Sequence, residues 1–274
     1  MSPAVSSPEL SPLPSESDAA AAITAIARYY DLDFGGFDAD LELYRNFARR
    51  GGSRVLDLGG GTGRIAVPLA QAGCDVVMVE ANAAMRAAGQ RRLQDAGLTP
   101  LAQDFRTLEL NVRFDLVVCA LSTFCHLQTR ADQQRVLTVV ARHLAPDGRA
   151  VFDLPALSAE DWEPGPRTPL LEWIRRDPRS GRTVMKFATV EAVPASQTQL
   201  VAYLYDEIRD DGSVERTAAR FPLRHVFRYE MDGLLEAAGL LVDQCYGSYN
   251  LDPVEAGERL IVVARHAGRV EAAE

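Results

Sequence analysis

Apolar residues in the first part of the chain form short runs that alternate with stretches of helical periodicity. Short apolar runs bounded by turn residues predict strands, and apolar residues recurring every three to four positions predict helices. The predicted helices are 19–30, 38–50, 63–72, 83–96 and 132–144, and the predicted strands are 54–58, 75–80, 100–103, 114–121 and 149–154. Strands that alternate with helices at this spacing indicate βαβ units and a parallel sheet covered on both faces.

A different pattern begins after residue 155, where a connector rich in Pro, Gly and acids precedes several extended segments. These segments are 170–174, 182–193, 199–209 and 214–227. Asp210-Asp211-Gly212-Ser213, between the last two, is a strong hairpin signal, so the block predicts an inserted antiparallel sheet. The α/β alternation then returns, with a predicted helix at 230–238 and predicted strands at 240–246 and 259–265.

The chain is therefore predicted to be an α/β protein in three parts. Residues 1–18 are rich in Ser, Pro and Ala, and we expect a disordered tail. Residues 19–158 and 229–266 form the predicted Rossmann-like domain. Residues 159–228 form the antiparallel β insert, which we expect to act as a lid over a bound substrate.

Composition and charge exclude several classes of partner. The formal net charge is -9 and Lys186 is the sole lysine, so no basic stripe points to nucleic acid. No apolar run could span a bilayer, and the first twenty residues lack the features of a signal peptide, so we expect a cytoplasmic protein without a membrane partner. The four cysteines show no CxxC pairing, which favours reduced thiols over a metal site. The oligomeric state is left open.

Glycines cluster directly after the first predicted strand, in Gly59-Gly60-Gly61-Thr62-Gly63. Glycine suits a backbone that turns sharply or lies against a ligand. The segment satisfies the dinucleotide fingerprint, with Glu80 at a plausible distance for a ribose contact, so a nicotinamide-dependent oxidoreductase is one alternative. Asp57 argues against it, because a carboxylate before the loop suits a ligand ammonium group and not a pyrophosphate. Asp104, after the third strand, can accept a hydrogen bond from an adenine amino group.

Taken in order, these motifs resemble those of the class I S-adenosylmethionine-dependent methyltransferases. The matching segments are 55–63, 79–82 with Met85 following, 103–105, 114–118 and 144–149. The resemblance covers most of the chain beyond the tail. It implies a seven-stranded, mostly parallel sheet with helices on both faces and an antiparallel last strand. The cofactor that it implies is S-adenosylmethionine.

The resemblance also implies a role for each matching position. The expected cofactor-binding residues are Asp57, Gly59, Gly61, Gly63, Glu80, Ala81, Asp104, Phe105 and Leu121. The glycines line the methionine end, with Asp57 at the ammonium group, and Glu80 takes both ribose hydroxyls. Asp104 and Phe105 flank the adenine, and the backbone of the last residue closes the pocket near the sulfonium. Ala81 replaces a polar residue that is usual in the family, so a side-chain contact is lost there.

Two residues are candidates for the reaction centre. His126 follows the fourth strand beside the reactive end of the cofactor, where it is either a general base or a structural histidine bonded to backbone. Tyr30 precedes Asp31 in a Tyr-Asp step, and in related enzymes such a tyrosine folds over the cofactor and approaches the acceptor. The alternative for Tyr30 is simple packing.

Residues of the insert and of the last turn are candidates for acceptor binding, with Arg224 and Tyr249 as the best pair. Arginines that alternate with apolar residues could present guanidinium groups to an anionic acceptor, or could form a solvated face. The inserted sheet resembles the branch of glycine N-methyltransferase-like enzymes and amino-sugar N,N-dimethyltransferases, which implies an amine on a small molecule. The alternatives are an O-methyltransferase and a cofactor-binding protein without activity of its own.

Overall fold

The computed structural model of this chain describes residues 12–51 and 54–268. They divide into two compact units. The α/β unit contains residues 27–156 and 225–268, and the β unit contains the residues up to Ile26 together with 157–224. Residues 1–11 of the expected disordered tail lie outside the described residues.

The elements follow the predicted order. The helices are α1 Glu16–Ile26, α2 Tyr30–Phe34, α3 Leu41–Gly51, α4 Ala66–Gln71, α5 Ala83–Asp95, α6 Arg130–His143 and α7 Arg228–Ala237. The strands are β1 Arg54–Leu58, β2 Asp75–Val79, β3 Phe114–Cys119, β4 Leu144–Pro155, β5 Gly165–Pro166, β6 Leu170–Arg176, β7 Thr183–Val193, β8 Thr198–Ile208, β9 Val214–Arg224, β10 Leu240–Tyr246 and β11 Arg259–His266. None of the described helices has the length and apolar character needed to cross a membrane.

Two local predictions at the N-terminus need correction. The first helix begins at Glu16, so the last three residues of the expected tail are helical. The segment that was expected to be a turn, 31–36, is largely the short helix α2. In addition, α1 packs against β9 and belongs to the β unit, although residues 19–26 were expected in the Rossmann-like domain.

The sheet of the α/β unit has the order β10-β11-β4-β3-β1-β2. Strands β1 to β4 are parallel, and β11 is antiparallel to both of its neighbours, as predicted. The described sheet has six strands and not seven, because the predicted strand 100–103 pairs only through Leu101, which forms a bridge with Val79. Leu101 makes both hydrogen bonds of this bridge, donating to the Met78 carbonyl at 2.8 Å and accepting from the Glu80 N–H at 3.0 Å.

Helices cover both faces of this sheet. Leu116 and Val118 of β3 join a core cluster with Leu43 and Tyr44 of α3. The alternate residue Val117 points to the opposite face and is also buried. Burial on both faces is typical of a parallel sheet with helical crossovers.

The β unit holds an antiparallel sheet of five strands. Its main ladder is β7-β8-β9, and β5 and β6 both pair with β7. The predicted hairpin at Asp210–Ser213 joins β8 to β9. Lys186 is buried in this sheet, with its Nζ 2.9 Å from Glu172 Oε2 and 3.8 Å from the ring centre of Tyr203. A buried ammonium group needs such a charged partner.

Gly89 allows α5 to pack directly on the glycine loop. A Cβ at Gly89 would lie 2.2 Å from the carbonyl oxygen of Thr62. Gly233 in α7 is the matched contrast, since a Cβ there would have no atom within 4 Å.

We expect Gly89→Ala to lower the free energy of unfolding by about 2 kcal/mol, because overpacking outweighs the gain in helix propensity. The control Gly233→Ala should raise it by roughly 0.5–1 kcal/mol, since only propensity changes there. Urea denaturation measures both values. Equal stabilisation by the two variants would show that α5 does not pack closely on the loop.

Candidate functional site

The glycine loop follows β1 at the carboxyl edge of the parallel strands, where ligands of open α/β sheets bind. Gly59, Gly61 and Gly63 have φ values of 68°, 62° and 85°, which favour glycine. The loop is held by the carbonyl oxygen of Val79, which accepts from the N–H of Gly59 at 2.8 Å and of Gly60 at 3.1 Å. Helix α4 begins only at residue 66, three residues after the predicted start.

Side chains of neighbouring elements enclose the space next to this loop. A Cβ at Gly59 would lie 2.5 Å from Thr123 Cγ2, and one at Gly61 would lie 3.1 Å from Met85 Cε and 3.8 Å from Tyr30 Cζ. These positions therefore form a backbone cradle that side chains would fill.

Glu80, at the end of β2, lies against the same loop. Its Oε2 accepts a hydrogen bond from the Gly61 N–H at 3.0 Å, and its Oε1 accepts one from the Asn82 N–H at 2.6 Å. Burial raises the pKa of Glu80, although the two backbone hydrogen bonds oppose this effect. Ala81 is exposed, and its carbonyl oxygen accepts from Arg86 Nη1 at 2.8 Å. A hydrogen bond therefore joins the Glu80 carboxylate directly to the glycine loop.

Asp57 is the buried acid below the loop, with a relative exposure of 1%. Its Oδ2 has no hydrogen-bond partner among the described residues and would lie 2.7 Å from a Cβ at Gly60. Burial raises the pKa of Asp57 to about 7, and Arg64 partly offsets this effect. A carboxyl in this state ionises more readily when a cation binds nearby.

Asp104 and Phe105 lie after the third predicted strand, as expected. Phe105 Cε1 would lie 3.4 Å from a Cβ at Gly59, so its ring borders the cradle. The carboxylate of Asp104 is held by Arg106, which donates from Nε at 2.8 Å and from Nη2 at 2.6 Å. Burial acts to raise the pKa of Asp104, but the hydrogen bonds from Arg106 outweigh it and the pKa falls. An adenine amino group would share this carboxylate with Arg106.

The turn after β3 closes the other side of the cradle. Leu121 and Ser122 are consecutive residues with positive φ, 44° and 62°. Both N–H groups donate to Asp153, Leu121 to the side-chain Oδ2 at 3.0 Å and Ser122 to the backbone oxygen at 2.9 Å. Strained backbone of this kind persists where neighbouring groups hold it, and it is frequent at functional sites.

Tyr30 lies beside the loop because a buried ion pair anchors the segment around it. Arg64 donates to both oxygens of Asp40 at 2.7 Å, and the two side chains are 6% and 0% exposed. Arg64 also donates to the Phe37 carbonyl and hydrogen-bonds Tyr30. Burial raises the pKa of Tyr30, an effect that Arg64 partly offsets, so the hydroxyl stays protonated at neutral pH.

A second contact joins the same segment to the loop. Asp31 Oδ1 accepts from Thr62 Oγ1 at 2.8 Å, and Asp31 Oδ2 accepts from Arg92 Nη2 at 2.7 Å. Tyr30 therefore lies next to Gly61, and Asp31 is hydrogen-bonded to the loop and to α5.

His126 ends a short 3-10 turn, 123–126, that follows Ser122. Its side chain is exposed, yet enough protein surrounds the imidazole that desolvation lowers the pKa of His126 to about 4. The ring is therefore neutral at pH 7.

The proposed acceptor pair is divided between the two units. Arg224 ends β9 opposite Thr198, and alternation places it on the other face of the sheet from Tyr203. Two other arginines of that face are paired with acids: Arg220 with Glu191 at 3.3 Å and Arg216 with Asp206 at 2.6 Å.

Tyr249 belongs to the α/β unit, where its hydroxyl donates to Asp153 Oδ2 at 2.9 Å. Burial raises the pKa of Tyr249 well above its ordinary value. The residue also lines a cavity of about 210 Å³ between α3 and the segment after β10. The walls of this cavity include Glu42, Asn46, Phe47, Tyr246, Tyr249 and Asn250, and none of its described lining residues is basic.

Several residues around the site were not predicted from the sequence. Asp40, Asp153 and Thr123 show no local signal, because each meets its partner only in the folded chain. Arg64 stands inside the glycine motif, but its partner lies 24 residues earlier. Among the described residues, no group of three or more His, Cys, Asp or Glu side chains is arranged to hold a metal ion.

Known proteins share this fold and these motifs. A methyltransferase domain family model matches residues 55–148. Cypemycin N-terminal methyltransferase from a Streptomyces species is 31% identical over 219 residues, which cover 77% of this chain and 82% of that protein. The CcbJ methyltransferase from Streptomyces caelestis is similar in structure, with a TM-score of 0.73 and 20% identity over 93% of this chain and all of that chain.

The S-adenosylmethionine-bound structure of CalS10, an amino pentose methyltransferase from Micromonospora echinaspora, has a TM-score of 0.68 and 24% identity over 86% of this chain and 96% of that chain. The chain belongs to the class I S-adenosylmethionine-dependent methyltransferases, and S-adenosylmethionine is its cofactor. The glycine cradle and the unpartnered Asp57 oxygen fit the methionine end of this group, and Glu80 against the same loop fits its ribose.

We expect the affinity for S-adenosylmethionine to depend on the ionisation of Asp57. The cofactor's ammonium group favours the carboxylate, so binding below a pKa of about 7 releases a proton and the affinity rises with pH. The dissociation constant should be roughly three- to tenfold higher at pH 6 than at pH 7.5, by calorimetry. The range ends at pH 7.5 because α-amino groups themselves titrate near pH 8.

Asp57→Asn is the matched control for this prediction, since the amide has the same shape but does not ionise. The variant should bind with a nearly constant affinity over that pH range. An unchanged pH slope in the variant would assign the slope to another group, such as Glu80.

Proposed function

We propose that this methyltransferase transfers the methyl group to an amine nitrogen, on a small molecule or at the end of a short peptide. The observation that carries the proposal is the aromatic cavity beside Tyr249, which Phe47 and Tyr246 also line; its acidic wall residue, Glu42, is exposed and paired with Arg45 at 2.7 Å. With no basic side chain among its described lining residues, this cavity offers no counter-charge to a phosphate or carboxylate, and its aromatic faces suit an acceptor that carries an amine. The names of two relatives, the cypemycin N-terminal methyltransferase and a glycine/sarcosine N-methyltransferase, support the same chemistry.

One hydrogen-bonded chain connects a wall residue of the cavity to the turn beside the cradle. Tyr249 on its wall bonds Asp153, and Asp153 bonds the Leu121 N–H in the turn that borders Gly59. We propose that the non-reacting part of the acceptor occupies this cavity and that its amine extends toward the cradle. Phe47 and Tyr246 supply apolar area for that part.

The proposed cofactor contacts are those of the cradle. Glu80 takes the ribose hydroxyls, Asp57 favours the ammonium group electrostatically, and Phe105 packs on the adenine. Bound there, S-adenosylmethionine supplies a methyl group activated by its sulfonium. The protein's own part is to align the acceptor lone pair and to exclude water.

We propose that His126 is not the base for the acceptor. Desolvation lowers the pKa of His126, which makes its imidazole a weaker base than an aliphatic amine. A neutral imidazole can still accept a hydrogen bond from the amine N–H. The proton is released to solvent, and Tyr30, held by Arg64, covers the loop side of the site.

A panel of matched acceptors tests the proposal. Formation of S-adenosylhomocysteine is measured with a short peptide that has a free N-terminus, with an amino sugar and with glycine, each beside its N-acetylated form. We expect turnover with at least one free amine and none with the acetylated partner, because acetylation removes the nucleophilic lone pair.

Two results would contradict the proposal. Methylation of a hydroxyl or carboxyl group with no amine turnover would point to an O-methyltransferase. Tight cofactor binding with no turnover on any acceptor would point to a cofactor-binding protein without catalysis.

A further inference from the structure

Asp153, at the end of β4, is a fully buried carboxylate that joins three parts of the α/β unit. Its Oδ2 accepts from the Leu121 N–H at 3.0 Å and from the Tyr249 hydroxyl at 2.9 Å. Its Oδ1 accepts from Arg259 Nε at 2.8 Å and from Arg259 Nη2. A buried carboxylate is stable only when its charge is paired and its oxygens are hydrogen-bonded, and both conditions hold here.

The turn that Asp153 holds is strained. Leu121 and Ser122 both have positive φ without being glycine. Asp153 binds the first through its side chain and the second through its backbone oxygen, so one residue fastens both N–H groups. Without these bonds the two residues would relax toward the ordinary regions of backbone conformation.

The same turn precedes Thr123, whose side chain borders the glycine cradle as a wall. Thr123 follows Ser122, and its Cγ2 lies 2.5 Å from the place of a Cβ on Gly59. The N–H of Thr123 donates to the Ala120 carbonyl at 3.0 Å, which closes the turn on itself. A shift of Leu121 therefore moves the wall that faces the loop.

We propose that Asp153 is a positioning residue for methyl transfer: its buried carboxylate holds the Leu121–Ser122 turn, and through it the Thr123 wall, against the glycine loop. The inference rests on the proposed placement of the cofactor over that loop. Asp153 touches neither substrate in this role. Arg259 supplies the opposite charge that this buried carboxylate needs, and Tyr249 links the turn to the acceptor cavity.

Asp153→Asn tests the role, because the amide keeps the size but loses the charge and one acceptor. Three quantities are measured: amide hydrogen exchange of the segment 120–124, S-adenosylmethionine affinity by calorimetry, and kcat with the best amine of the acceptor panel. We expect exchange at least tenfold faster, affinity lowered about three- to tenfold, and kcat lowered at least tenfold, because the turn loses its main restraint.

Asp243→Asn is the matched control. Asp243 on β10 also accepts from two arginines, Arg149 at 2.7 Å and Arg265 at 3.0 Å, but it does not contact the turn. This variant should lower thermal stability while the exchange of 120–124, the affinity and kcat stay as in the parent protein. If Asp153→Asn does not fold, Tyr249→Phe removes one hydrogen bond from the same oxygen and should show smaller shifts in the same direction.

The outcomes separate this inference from the proposed function. Parent-like exchange, affinity and kcat in a folded Asp153→Asn protein would overturn it, as would equal losses in Asp243→Asn. If no amine is methylated, the proposed function fails, but hydrogen exchange and cofactor affinity still decide whether Asp153 positions the turn.

Discussion

The site depends on a steric constraint: the turn after β1 leaves no room for a side chain at Gly59 or Gly60. A Cβ at Gly59 would meet Thr123, one at Gly60 would meet Met78, and one at Gly89 would meet the Thr62 carbonyl. Three elements therefore reach the loop from different directions, namely the turn after β3, strand β2 and helix α5. The ion pair of Arg64 with Asp40 adds a fourth, the N-terminal segment that carries Tyr30. The cradle is shaped by backbone, and the charges of Asp57 and Glu80 lie below it and at its edge.

Much of this architecture is predictable because it is encoded locally. Periodicity predicts β1 to β4, and periodicity together with the turn signals predicts the antiparallel pairing of β7 to β9. The motif order predicts the family, which the similarity to the cypemycin N-terminal methyltransferase confirms. The predicted strand 100–103 is reduced to one bridge between Leu101 and Val79. The hydrogen bonds and ion pairs that hold the site together are not encoded locally. In the sequence Asp153 does not differ from other strand residues, because Leu121, Tyr249 and Arg259 contact it only in the folded chain. Arg106 lies two residues after Asp104 and donates hydrogen bonds to its carboxylate.

The acceptor side changes most between sequence and structure. Alternating arginines suggested an anionic ligand, but Arg216 and Arg220 pair with acids of their own sheet. Tyr249 lines an aromatic cavity and donates a hydrogen bond to Asp153. The role of Arg224 and the lid role of the inserted sheet stay predictions. The assignment of an amine acceptor therefore rests on the α/β unit alone.

The central claim is that a backbone cradle at Gly59 holds the cofactor, and a pair of glycine substitutions measures it directly. Gly59→Ala and Gly73→Ala both place alanine at a positive φ, 68° and 92°, but only the first meets a neighbouring atom, since nothing lies within 4 Å of a Cβ at Gly73. Calorimetry with S-adenosylmethionine should show at least a tenfold loss of affinity, about 1.4 kcal/mol or more, for Gly59→Ala and none for Gly73→Ala. Parent-like affinity in a folded Gly59→Ala protein would contradict the account.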